Sequence, residues 1–324
     1  MVRRKQPSRR TVGSNATQRL KHAAVVGVGV IGSSWTALFL AHGLRVTVYD
    51  PRPDVKDVVG NSLRQAEPAL KALGLPTANL TKYLKFANEL EDAVDGADVV
   101  QESATEDLAL KQELFARISQ TAGSNALLLS SSSGFPATDI SKDMACPGRM
   151  LIGHPYNPPH LLPLVEVVPS ERTDPAATAD AVAFYQALGK TPLVLRKEVA
   201  GFVINRLQAA FFRECVHLVC AGVVTVEELD TIVTNSMGIR WAAAGPFLSF
   251  HAGGGPGGLQ HFLEHIGPVF ERLWKALGQP QFDPATVDLL SAQAKQAFGK
   301  ISYHQLQRTR DRKQLAIMQA LRSI

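Results

Sequence analysis

Cysteine is scarce in this 324-residue chain: there are three, Cys146, Cys215 and Cys220. An odd number without a C-x-x-C spacing argues against a disulfide framework and a thiolate metal site, and no metal is expected. Buried thiols in a reducing compartment, the cytoplasm, fit best. Long apolar runs are also missing. Nothing approaches the ~20 uninterrupted apolar residues of a membrane helix, so no membrane partner is expected. Neither sign of charge dominates the body of the chain. Residues 1–21 carry seven basic groups (Arg3, Arg4, Lys5, Arg9, Arg10, Arg19, Lys21) and no acidic one. Without them 27 basic side chains face 29 acidic ones, so the formal +5 belongs to the tail. No aromatic residue interleaves with the tail's charges, which speaks against nucleic acid. The tail lacks an apolar h-region and is read as a disordered extension, with a transit peptide as the other reading.

What is present is ordinary globular material, 45% hydrophobic and 19% charged, in a chain long enough for two domains. Short apolar runs, the first ones rich in β-branched residues, recur at His22–Val28, Leu44–Tyr49, Asp98–Val100, Ala126–Leu129, Met150–Ile152, Leu164–Val168 and Leu193–Leu195. Helical patterns such as Ser33–His42, Asp107–Thr121 and Pro175–Leu188 fall between many of them. This alternation predicts an α/β domain over 22–200 with a mostly parallel sheet. Residues 51–96 exceed a simple crossover and hold two helix-like pieces around Gly74–Pro76. From Gly201 strand signals stop, and Phe202–Ala221, Val226–Ser236, Leu259–Leu277 and Thr286–Phe298 predict an all-α domain over 201–324. His251–Gly258 reads as a glycine-rich loop. Apolar stretches at Phe211-Phe212 and Val216–Val219 exceed what a small bundle buries alone, so a homodimer is expected.

The sharpest motif is Gly27-Val28-Gly29-Val30-Ile31-Gly32, between a strand and a helix. Gly27 permits the turn, Gly29 admits a pyrophosphate, and Gly32 allows close helix–strand packing, the pattern of a Rossmann-like dinucleotide site. Asp50 ends the next strand 18 residues after Gly32, where a carboxylate accepts ribose hydroxyls and repels a 2′-phosphate, so NAD is the expected cofactor. Arg52, two residues on, softens that discrimination. A second constellation is His154-Pro-Tyr-Asn157-Pro-Pro followed by Glu166. Oxidising an alcohol needs a base for the hydroxyl proton, and a histidine oriented by a carboxylate suits that task. A lone histidine among prolines is more often a structural element. The Ser130–Ser133 run offers hydroxyls to a substrate oxygen or simply caps a helix.

The run Glu198-Val-Ala-Gly201-Phe202-Val-Ile-Asn205-Arg206 resembles the signature that opens the second domain of L-3-hydroxyacyl-CoA dehydrogenases, and Ser133, 21 residues before His154, sits at that family's serine spacing. Gln101–Lys111, Gly153–Pro159, Leu162–Glu166 and Gly238–Phe247 resemble more closely the branch holding lambda-crystallin, an L-gulonate 3-dehydrogenase, and L-carnitine 3-dehydrogenase. The resemblance implies His154 as base, Glu166 as its carboxylate, Ser133 and Asn205 on the reacting oxygen, and Asn157 near the nicotinamide. It also implies that Val30, Ile31, Asp50, Glu106 and Lys111 contact NAD. Two departures put CoA binding in doubt: the lysines of the insertion (Lys56, Lys71, Lys82, Lys85) match no family pattern, and the chain ends in basic Arg308–Arg322. The expected substrate is therefore a small free 3-hydroxy acid anchored by Arg240, beside Trp241, Phe247, Phe250 and Phe262. These aromatics could equally be helix core. An acyl-CoA substrate of fatty acid metabolism, and a non-catalytic crystallin-like role, are the alternatives.

Overall fold

The computed structural model describes residues 20–323, so the tail reading lies, apart from Leu20 and Lys21, outside the described residues. The chain divides into two compact units, the first ending at Val203 and the second beginning at Ile204.

In the first unit the apolar runs become strands and the stretches with helical spacing become helices. In chain order these are β1 (His22–Val26), α1 (Val30–Ala41), β2 (Arg45–Tyr49), α2 (Val55–Ala72), β3 (Leu84–Phe86) and α3 (Leu90–Val94). Then follow β4 (Val99–Glu102), α4 (Leu108–Thr121), β5 (Leu127–Ser130), α5 (Ala137–Ile140), β6 (Met150–Pro155), β7 (Leu164–Pro169), α6 (Pro175–Ala187) and β8 (Thr191–Val194). They form one eight-stranded sheet in the order β3-β2-β1-β4-β5-β6-β7-β8. Every neighbouring pair is parallel except β6 and β7, which run antiparallel with His154 opposite Glu166. Helices cover both faces, which explains why the strands read as near-continuous apolar runs. Val25, Val48, Leu129 and Val167 pack with Trp35, Phe39 and Tyr185 on one face; Ala24, Val100, Leu128 and Ile152 pack with Phe115 and Ile118 on the other. Each fully buried Leu, Ile or Phe among them contributes roughly 1.5–3 kcal/mol. The strand order reverses between β1 and β4, and ligands of such sheets bind beyond the strand C-termini at this switch.

The insertion corrects one expectation. Only α2 is a long helix; the second helix-like piece is a 3-10 turn, Leu80–Tyr83, leading into edge strand β3.

The second unit comprises α7 (Ile204–Cys220), α8 (Val226–Thr234), α9 (Met237–Ala243), α10 (Pro246–Gly253), α11 (Gly258–Ala276), α12 (Pro284–Phe298) and α13 (Tyr303–Arg322). Among the described residues no strand follows Val194, and no helix is long and apolar enough to cross a membrane. The glycine-rich stretch is less of a loop than expected, since α10 runs to Gly253 and a 3-10 turn joins it to α11. A Cβ on Gly254 would lie 1.9 Å from the Gly258 carbonyl, so the tight junction requires glycine there. The expected exposure of Val216 and Val219 is also corrected: both are buried, while Phe212 on the same helix is half exposed. All three share one face of α7, so the difference runs along the helix: its first turns are open and its C-terminal half is covered.

Candidate active site

The glycine loop closes β1 onto α1. Gly27 has a φ of 85°, and a Cβ there would meet the Ala104 backbone at 2.6 Å. A Cβ on Gly32 would lie 1.9 Å from the Gly27 carbonyl, so helix and turn touch backbone to backbone. Around Gly29, by contrast, a Cβ would find nothing within 4 Å, and no side chain caps the N-terminus of α1 that Gly29 begins. Open space in front of uncapped amides at the positive end of a helix is what a pyrophosphate requires. Val30 is exposed at this opening and Ile31 is partly buried beneath it. Asp50, at the C-terminal end of β2, accepts the Val28 N–H at 2.8 Å on one oxygen. Its other oxygen takes the Arg52 N–H and Nε, both at 3.0 Å, and Arg52 also donates to the Val28 carbonyl. The carboxylate thus stands beside the loop with a guanidinium folded over it.

His154 and Glu166 meet across the antiparallel β6–β7 register. The His154 Nδ1 lies 2.8 Å from Glu166 Oε2, and both side chains are almost wholly buried. The other carboxylate oxygen accepts the Val203 N–H at 2.9 Å. An ionised Glu166 accepts from Nδ1–H, which leaves Nε2 with its lone pair as the basic atom. Phe202, in the left-handed region at φ 48°, lays its ring 5.4 Å from the imidazole. The Gly201-Phe202-Val203 turn therefore supports both members of the pair. Asn157 is exposed on the loop between the two strands, which carries a cis Asn157–Pro158 bond.

The serine run is sorted by partner. Ser130 donates to Glu102 Oε2. Ser131 takes hydrogen bonds from Trp35 Nε1 (3.2 Å) and Gln101 Nε2 (2.9 Å), and bonds Ser103. Ser132 donates to Glu106 Oε1 at 2.7 Å, and the same oxygen collects the Ser133 and Gly134 N–H groups at 3.0 and 2.8 Å. Lys111, from α4, is buried and reaches both Glu102 Oε1 (2.8 Å) and Glu106 Oε2 (3.3 Å). Partial burial would raise the Glu106 pKa, but the Ser132 hydroxyl, the Lys111 charge and the Gly134 amide outweigh it and hold the carboxyl below its usual range. Glu106 and Lys111 thus shape the turn that bears Ser133.

Asn205 is in the first turn of α7 and Arg240 is exposed on α9. Trp241 meets Phe211 edge-on, whereas Phe250, Phe262 and Phe270 pack together with centroids 4.6–6.0 Å apart. Two of the expected pocket aromatics are thus cluster members within the second unit. Several contributors escaped sequence reasoning: Glu102, Gln101, Ser103, Phe202 and Lys190. A carboxylate just beyond a short apolar run, as Glu102 stands after Val99-Val100, was the one available signal.

Residues 22–199 match the family described as 3-hydroxyacyl-CoA dehydrogenase, NAD binding domain, and residues 201–297 match the 3-hydroxyacyl-CoA dehydrogenase C-terminal domain. The chain is 42% identical over 305 residues to an L-carnitine dehydrogenase of Streptomyces griseus, covering 94% of this chain and 91% of that protein. It is 41% identical over 303 residues to an L-carnitine dehydrogenase of Pseudomonas aeruginosa, covering 94% of each. The crystal structure of 5-formyl-3-hydroxy-2-methylpyridine 4-carboxylic acid 5-dehydrogenase, an NAD+-dependent dismutase, resembles it with a TM-score of 0.80. That match is at 31% identity and covers 94% of this chain and 99% of the other.

Proposed function

The chain belongs to the 3-hydroxyacyl-CoA dehydrogenase family and is an NAD-dependent CH–OH dehydrogenase, and from that premise we propose that it oxidises a carnitine-type L-3-hydroxy acid to the 3-keto acid. The observation that carries the chemistry is the buried His154–Glu166 pair, with Nε2 left as the proton acceptor. His154 takes the hydroxyl proton, and Glu166 stabilises the imidazolium that forms. NAD, when bound, accepts the hydride. Gly27, Gly29, Val30, Ile31 and Gly32 hold its pyrophosphate, Asp50 its adenine ribose, Asn157 lies near its nicotinamide, and Glu106 contacts it, with the buried Lys111 acting from behind Glu106 rather than by touching the cofactor. Ser133 steadies the reacting oxygen. Asn205 shares that task and Arg240 binds the carboxylate, both on the strength of the family pattern and their chemistry.

The substrate class follows the 40% identity level shared with carnitine dehydrogenases over nearly the whole chain. We place the protein in the cytoplasm, as its free cysteines suit a reducing compartment. It forms a homodimer through the second unit, whose Phe247, Trp274 and Phe282 are each at least 65% exposed in the single chain. The test is NADH production from carnitine, gulonate, 3-hydroxybutyrate and 3-hydroxybutyryl-CoA, with wild type and Arg240→Ala. Turnover of carnitine, with KM raised at least tenfold by Arg240→Ala, is expected. Efficient turnover of the thioester alone, unaffected by Arg240→Ala, restores the acyl-CoA reading.

A further inference from the structure

Beneath the loop that joins the two strands of the site lies a lysine with no counter-charge. Lys190, immediately before β8, is 8% exposed, and its ammonium stands 5.5 Å from the centre of the Trp35 ring. Among the described residues no carboxylate lies within ion-pair distance of it. It donates instead to two main-chain carbonyls of one loop, those of Pro159 and Leu162, the latter at 2.8 Å. The next residue extends the same attachment: the Thr191 N–H donates to the Pro163 carbonyl at 2.8 Å.

The loop needs such an anchor because of its composition. Pro158, Pro159 and Pro163 bring no N–H, and the Leu161 and Leu162 amides both turn back onto the Pro158 carbonyl. Its inward carbonyls therefore depend on donors from outside the loop. On its other side Ser34, from α1, accepts the His160 N–H and bonds His160 Nδ1, each at 2.8 Å. An ammonium taken out of water is costly, and a lone buried charge is a poor stabiliser compared with an apolar side chain of equal size. Desolvation accordingly brings the Lys190 pKa down to about 7. What the charge does supply is directional donors at a fixed point.

Resting on the reading of His154 as base, we infer that Lys190 is a positioning residue for the reaction: by clamping the Pro159 and Leu162 carbonyls it sets the loop that carries Asn157 and spans His154 to Glu166. The effect runs through placement, since small displacements of reacting groups reduce turnover without abolishing binding.

Lys190→Met keeps the side-chain length and removes the donors. The expected result is a folded enzyme with a cooperative thermal transition, NAD affinity within twofold of wild type, and kcat lowered roughly 10- to 100-fold. Lys190→Ala leaves room for an added amine, and n-butylammonium should restore part of its kcat where n-butanol does not. Wild-type kcat in the Met variant, loss of fold along with activity, or an Ala variant indifferent to the amine each overturns the inference. His154→Ala, measured alongside, separates the two readings. If it stays active the base assignment fails by itself, while a fully active Lys190→Met beside an inactive His154→Ala removes only the positioning role.

Discussion

The two units solve the problem of burial differently. The first sandwiches its sheet between helices and hides most of the large apolar side chains of its strands and covering helices, together with Glu102, Lys111, His154 and Glu166. The second, helical without a strand among its described residues, buries among its described hydrophobic side chains only Cys215, Val216, Val219 and Leu315. Its Ile239, Phe247, Leu248, Trp274 and Phe282 all stand more than half exposed. A sheet covered on both faces completes its own core, whereas helices arranged over so little interior leave apolar surface for something else to cover. The contrast teaches where the proton-transfer pair is built: His154 and Glu166 sit on the unit that completes its own core.

The comparison breaks most sharply at the pair. Replacing His154 by Ala should lower kcat by roughly 10²–10⁴ while NAD affinity, read by NADH fluorescence, stays near wild type. Unchanged turnover would remove His154 as base. Next in size is Asp50→Ala, which deletes a charged acceptor and frees Arg52; NAD affinity should fall about 10- to 100-fold. NADP should lose less, and an equal loss for both cofactors would contradict the role of Asp50 in choosing between them. A third change addresses the other unit. Phe247→Asp with Trp274→Asp should convert a dimer to a monomer by light scattering at micromolar concentration, leaving NAD affinity intact. A wild-type monomer under those conditions defeats the dimer proposal.

The smallest effect is on pH dependence. The folded pKa of Lys190, about 7, lies below its ordinary value of 10.5. Between those limits the unfolded chain binds the proton that the folded chain has released, so stability from this group rises with pH across that window. Only part of that rise survives screening and relaxation. Lys190→Met should flatten it in denaturant titrations at pH 6.5 to 9. His42 nearby is also held below its usual range, by burial first and by the Lys190 charge second, so its titration is expected to move upward in the same variant. An unaltered slope would place the charge elsewhere.

Much of the first unit was legible because burial on both faces writes apolar runs into the sequence. Strand β3 was not, since Leu84-Lys85-Phe86 is three residues with a lysine in the middle. The glycine motif, Asp50 and the His154–Glu166 pairing were readable, the last because consecutive strands place their residues in register. The burial of Lys111 and Lys190 was not, since a lysine in a sequence reads as solvated and only three-dimensional partners reveal it as interior. In the second unit the helices themselves were visible by periodicity. How far along α7 its apolar face is covered was not, because Phe212, Val216 and Val219 share that face and only packing distinguishes them.

The four consecutive serines carry a consequence for how this chain can change length. Ser130 and Ser132 serve one set of partners and Ser131 another, because successive residues of extended chain face opposite sides. Exchanging one serine for alanine deletes only that hydroxyl's own contacts. Inserting or removing a single residue in the run would hand every hydroxyl after it to the wrong side, strand Glu102 or Glu106 beside Lys111, and shift the turn at Ser133. The run looks like a repetitive spacer in composition, yet it should tolerate replacement at any one position far better than a frame-preserving insertion or deletion of one codon.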